Sequence, residues 1–96
     1  MSPQINADSR PALATHVRLQ HDGVRQQWVV QAPERLFVLD DVAHAVLSRC
    51  GNGLTVAEIA DQLGIEFDAP ADEIRGDVLE LLQDLADKGI VHDQRA

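Results

Sequence analysis

Ala32-Pro33-Glu34-Arg35-Leu36-Phe37-Val38-Leu39-Asp40 is the hinge of this sequence. It is the last stretch that reads as strand, and everything after Asp40 reads as helix. Pro33 has a fixed φ and no N–H to give to a ladder, so it suits the start of an edge strand better than the middle of a sheet. Along Arg35–Leu39 the side chains alternate, with Leu36 and Val38 on one face and Phe37 and Leu39 on the other. A strand that is apolar on both faces expects cover on both sides. The question it poses is whether this chain supplies all of that cover.

Upstream, Val17 and Leu19 alternate with His16, Arg18 and Gln20, the pattern of a short half-buried strand. Asp22-Gly23 offers turn chemistry, with Gly as the residue that tolerates positive φ. Trp28 and Val30 alternate with Gln27, Val29 and Gln31, which predicts a second strand antiparallel to the first. With Ala32-Pro33-Glu34 as a corner and Arg35–Leu39 as the third strand, a three-stranded meander follows, because sequential strands usually pair. The third strand then lies at an edge. Residues 1–10 are polar, carry Pro3 and show no period, and are expected to be a flexible segment.

Downstream, Asp40 or Asp41 is placed to cap a first helix whose apolar residues are Val42, Val46, Leu47 and Cys50, and Gly51-Asn52-Gly53 stops it. Thr55-Val56-Ala57-Glu58 is a capping box, opening a second helix with the stripe Val56, Ile59, Ala60 and Leu63 and a stop at Gly64. Residues 65–69 connect to Pro70 in the first turn of a third helix. There Ile74, Val78, Leu81, Leu82 and Leu85 make one continuous stripe. Gly76 weakens that helix, and its expected use is close approach to another backbone. Lys88 suits the C-terminal end of the dipole, Gly89 ends the helix, and Ile90-Val91 add a last tucked-in turn or strand.

The 96 residues make one domain with an aliphatic core, since the only aromatics are Trp28, Phe37 and Phe67. The reading divides the chain into a flexible segment 1–10, a folded domain 11–91 and a tail 92–96. Net charge is −8, and all of it arises after Gly53: five acids balance five bases before that point, against eleven acids and three bases beyond it. No apolar run approaches the ~20 residues of a membrane span, and no signal-peptide pattern opens the chain. A cytoplasmic protein without membrane partners is the plain expectation.

Two short helices and a longer third beside a small sheet form an α+β, winged-helix-like arrangement, which raises DNA binding through the third helix as the alternative function. Charge opposes it. That helix carries Asp72, Glu73, Asp77, Glu80, Asp84 and Asp87 against Arg75 and Lys88, and would be repelled by phosphates. Its acids fall mostly off the apolar stripe, where solvated charges belong. The four histidines (His16, His21, His44, His92) share no metal-ligand spacing with each other or with Cys50. Cys50 lies on an apolar stripe and reads as a small buried hydrophobe. Trp28 reads as a sheet residue packed on the helices. No catalytic frame, metal set or phosphate loop is present, so no catalytic residue, metal or cofactor is assigned. Non-catalytic binding at the open strand edge remains, with the chain's own helices or a second copy as the other sources of cover.

Pro11-x-Leu13, Val17-Arg18-Leu19, Pro33-Glu34, Leu39, Val46-Leu47-x-x-Cys50, Thr55-Val56-x-Glu58-Ile59, Asp77-Val78-x-x-Leu81-Leu82-x-x-Leu85 and Gly89-Ile90, in that order and spacing, resemble the PqqD family of peptide chaperones in pyrroloquinoline quinone (PQQ) biosynthesis. The chain departs from the family pattern at Gly51-Asn52-Gly53, where Asp-Gly usually follows the Cys. It departs again at Asp40, where Asn is common, and at Leu54, where a basic residue is common. The resemblance implies a three-stranded sheet followed by three helices, with no catalysis of its own. It implies that a precursor peptide of the PqqA kind is bound as an added strand between the third strand and the third helix. The peptide would then be presented to a radical SAM enzyme of the PqqE kind, which joins a Glu and a Tyr side chain and holds the iron–sulfur clusters and S-adenosylmethionine. Carried over by position, the edge is Arg35, Leu36, Phe37, Val38 and Leu39, and the helix wall includes Ile74, Arg75, Val78, Leu79 and Leu82. Monomer and homodimer are both open.

Overall fold

The computed structural model describes residues 4–94. Its strands and helices are β1 (Pro11–Leu13), β2 (Arg18–Asp22), β3 (Gln27–Ala32), β4 (Arg35–Leu39), α1 (Asp41–Leu47), α2 (Val56–Glu66), α3 (Ala71–Asp87) and β5 (Val91–Asp93). The α+β architecture is as expected, with β2, β3 and β4 the three strands of an antiparallel meander in the order β2-β3-β4. β4 is an edge. Its register against β3 runs from Ala32↔Arg35 to Trp28↔Leu39, closed by the two-residue turn Pro33-Glu34. Glu34 takes φ 65°, the left-handed position that follows a Pro-led turn of this kind. In the β2–β3 loop the positive φ falls on Gln26, at 54°, and not on Gly23. Asp22 shapes that loop, its Oδ1 accepting the N–H groups of Val24 and Arg25 at 3.0 and 3.2 Å.

The inner face of the sheet rests on the helices. Val30 sits in the core with Val46 and Leu47 of α1, the α2 stripe Val56, Ile59, Ala60 and Leu63, and Ile74, Val78, Leu82 and Leu85 of α3. Burying such aliphatic side chains stabilises by roughly 1.5–3 kcal/mol each. Asp40 is the cap of α1, its Oδ1 accepting the Ala43 N–H at 2.7 Å. The capping box on α2 is complete: the Thr55 hydroxyl accepts from the Glu58 N–H and the Glu58 carboxylate accepts from the Thr55 N–H. α3 ends at Gly89, φ 76°, where the N–H groups of Gly89 and Ile90 reach back to the carbonyls of Ala86 and Leu85.

Further local expectations change: α1 ends at Leu47, so Cys50 lies beyond the helix and not in it. α2 runs through Gly64 to Glu66. Gly64 makes the close approach there: a Cβ would stand 3.3 Å from the Ala69 carbonyl oxygen, tighter than an ordinary van der Waals contact. Gly76 makes no close approach, with nothing within 4 Å of where its Cβ would be. Residues 92 and 93 lie in β5, which pairs with β1 from Pro11↔Asp93 to Leu13↔Val91. Strands of three residues are too short to show a period in sequence.

Finally, residues 5–10 pack onto the domain. Ile5 is 5% exposed and Ser9 fully buried. The first turn of α2 explains this, because its opening N–H groups lack partners within the helix. The Ser9 and Ala7 carbonyls accept from the N–H groups of Val56 and Ala57 at 2.9 and 3.0 Å.

Candidate functional site

Among the described residues β4 is hydrogen-bonded along one side only, to β3. Its alternation is the one expected: Phe37 and Leu39 are half-buried against the helices, while Leu36 and Val38 are 56% and 59% exposed on the outer face. The helices therefore cover one face of the strand. Its free edge and outer face are left uncovered.

α3 flanks that edge. At the start of β4 the Lys88 ammonium lies 5.6 Å from the centre of the Phe37 ring, and an Arg35 guanidinium N–H donates to the Lys88 carbonyl at 3.4 Å. Beyond the other end of β4, Asp77 and Leu81 share a cavity of about 290 Å³ with Asp40, Val42 and Ala43. The strand and the helix thus run in opposite directions, with a hollow where they meet at either end, and the space between the two is the candidate groove. Lys88 is held at the rim by Asp84, Nζ to Oδ2 2.7 Å.

The structure separates the α3 residues named from the sequence. Ile74, Val78 and Leu82 are 7%, 1% and 0% exposed, so they belong to the core beneath the groove. Arg75 and Leu79 are half-buried. At about 100° per residue they fall on the flank of the apolar stripe opposite Leu81. Lys88 lies against Phe37 of β4, Asp84 is paired with Lys88, and Asp77 and Leu81 lie by Asp40 just beyond β4, so the four share one flank of α3 at i, i+4, i+7 and i+11. Sequence reasoning placed Leu81 in the core stripe and the two aspartates among solvated charges. Their common angular offset from Val78 was the signal that could have found them.

Other candidate groups have structural roles. Burial pushes the Cys50 thiol up to about 12, which keeps it protonated at neutral pH. Its Sγ lies 3.5 Å from the Val46 carbonyl oxygen. Trp28 packs on α1 as expected, stacked on His44, with the His21 ring tilted against it. Among the described residues no group of three or more His, Cys, Asp or Glu is arranged to hold a metal ion. No helix among them is long and apolar enough to cross a membrane. All six α3 acids named above are exposed, which leaves that helix a negative outer surface.

The fold belongs to a known pattern. The sequence profile of coenzyme PQQ synthesis protein D (PqqD) matches residues 27–91. A protein of Xanthomonas campestris pv. campestris (strain B100) named PqqA binding protein is 51% identical over 87 residues, covering 91% of this chain and 95% of the relative. One of the same name from Rhodopseudomonas palustris (strain BisB5) is 44% identical over 91 residues, covering 95% and 89%. The fold also matches the solution NMR structure of the PqqD truncation of Methylobacterium extorquens PqqCD. That structure is described as a functional, stand-alone recognition element for ribosomally synthesized and post-translationally modified peptides. The TM-score is 0.81 at 41% identity, over 92% of this chain and 94% of that one. With its meander, its three helices and matches of this extent, the chain belongs to the PqqD family.

Proposed function

We propose that this protein is a non-catalytic peptide chaperone. It binds a PqqA-like precursor peptide as a fourth strand on the free edge of β4 and presents it, in the cytoplasm, to a PqqE-like radical SAM enzyme for Glu–Tyr cross-linking. The observation that carries the reading is the unpaired β4 edge facing α3, in a chain whose relatives are named for binding PqqA. An edge strand offers N–H and C=O groups that a peptide backbone can satisfy in register. Each such bond contributes roughly 1 kcal/mol net, so a handful of them plus apolar contacts gives useful affinity without any chemistry.

In this reading the ladder is formed along Arg35, Leu36, Phe37, Val38 and Leu39, and Leu81 supplies the apolar wall of α3. Ile74, Val78 and Leu82 support that wall from the core, with Arg75 and Leu79 behind it. The acid-rich surface of α3 counts against the winged-helix DNA-binding reading, because it would face phosphates.

The test is an amide-shift titration of the labelled protein with the PqqA peptide of Xanthomonas campestris. Shifts concentrated in residues 35–39 and 77–88 are expected. Shifts confined elsewhere would overturn the site.

A further inference from the structure

The groove is divided by charge. At its head, where β4 begins and α3 ends, a cavity of about 520 Å³ has Arg35, Lys88 and His16 as its ionisable lining, with no carboxylate among them. An adjoining hollow of about 270 Å³ shares His16, Ala32 and Pro33 with it and adds Arg18. At the foot, the cavity beside Leu81 has Asp40 and Asp77 as its ionisable lining. It shares Asp77 and Leu81 with a larger hollow of about 590 Å³ along α3, which adds Glu80, Asp84 and Asp87. No cation among the described residues lines either of these. Of the chain's eight Lys and Arg, Arg35 and Lys88 line the head. Lys88 is paired there with Asp84, which leaves Arg35 as the cation without an ion pair among the described residues, and Arg18 lies across β3 on β2.

We infer that the groove selects its peptide by charge order. This rests on the edge-strand reading above and adds to it the sequence class of the ligand. The recognised segment carries a carboxylate where it meets Arg35 and Lys88, and a cation where it meets Asp40 and Asp77. Between them an apolar residue lies over Phe37 and Leu81. The spacing follows from the strand: five residues at about 3.3 Å each span roughly 16 Å, and helix-facing side chains recur at every second residue. The carboxylate and the cation are therefore four or six residues apart. A segment with the opposite order would set like charge against like at both ends, which discriminates between registers and orientations more than it adds affinity.

The two ends make opposite demands on the ligand, and that makes the inference testable. The PqqA peptide of Xanthomonas campestris is titrated against the intact protein and its Arg35→Gln, Arg35→Lys and Asp77→Asn variants, with amide shifts and Kd read together. Arg35→Gln and Asp77→Asn should each weaken binding about three- to fivefold at low salt, with the loss fading in high salt, as for half-exposed ion pairs. Arg35→Lys should retain most of the affinity. A weaker Arg35→Gln paired with a tighter Asp77→Asn would mean simple attraction of an anionic peptide, and the inference fails. Unchanged Kd in both variants, with β4 amides still shifting, also overturns it and leaves the edge-strand reading intact. If the β4 amides do not move at all, both readings fall.

Discussion

Trp28 on β3 stacks face to face on His44 of α1, with ring centroids 4.1 Å apart and planes inclined by 14°. The contact ties the sheet to the first helix at the far end of β4, since Trp28 pairs with Leu39. Stacked rings of this kind contribute about 0.5–1.5 kcal/mol beyond their area. His44→Ala should therefore cost about 1 kcal/mol in denaturant unfolding and shift the emission of this single tryptophan to the red. His44→Phe should restore both.

The free edge makes an asymmetric demand on neighbouring residues. Ala32 and Arg35 flank a two-residue turn, so alternate residues outward from them bond to β3, and the N–H groups of Leu36 and Val38 point away from it. Val38→Pro removes an outward donor and should leave the fold in place while weakening peptide binding about tenfold or more. Phe37→Pro removes a bond to β3 and should destabilise the domain itself. Undiminished peptide affinity in a folded Val38→Pro protein would rule out strand addition at this edge.

The capping box on α2 links stability to acid. Thr55→Ala should cost about 1 kcal/mol. The Thr55 backbone N–H, and then its side chain, hold the Glu58 carboxyl below its ordinary value. The unfolded chain therefore takes up the proton first. The contribution of Glu58 is present above its unfolded value of about 4.5 and is lost as pH falls through the lower folded value. Glu58→Gln should flatten this part of the acid unfolding profile, measured by circular dichroism.

Cys50 behaves in the opposite sense. Its thiol titrates at about 12 in the folded protein against 9.0 when free, because burial disfavours the thiolate. Its contribution is whole below pH 9 and falls away between about 9 and 12. At neutral pH a thiol reagent should label the native protein far more slowly than the unfolded one. Rates measured at increasing urea should track unfolding.

Residues 5–10 are structural. Ile5 joins the hydrophobic core and its N–H donates to the Gln83 side chain at 2.8 Å. Ile5→Ala should cost about 2–4 kcal/mol in chemical denaturation, as for other buried aliphatic truncations.

The meander, the three helices and their caps were legible because each rests on a local rule that the sequence states outright. Asp40 stands where a cap is needed, Thr55 and Glu58 stand three apart, and Phe37 alternates with Leu36 and Val38. The edge Arg35–Leu39 could be read as an edge from its place as the last strand of the meander, with Pro33 just before it. What was hidden depends on partners distant in sequence. Ser9 gains its place from N–H groups at the start of α2, and Pro11 from Asp93 at the other end of the chain. The groove wall was hidden for a subtler reason. Leu81 belongs to the same apolar period as Val78 and Leu82, and only the position of β4 shows which flank of that stripe stays open.

The pairing of β1 with β5 acts as a clasp. The Gln94 N–H donates to the Arg10 carbonyl at 2.8 Å and the Arg10 N–H to the Asp93 carboxylate at 3.0 Å, so the segments that flank the two short strands are held to one another. The clasp is a sheet of its own, separate from the three-stranded sheet that carries β4. Local opening there would loosen residues 5–10 from the start of α2 while every ladder bond of the meander stayed in place.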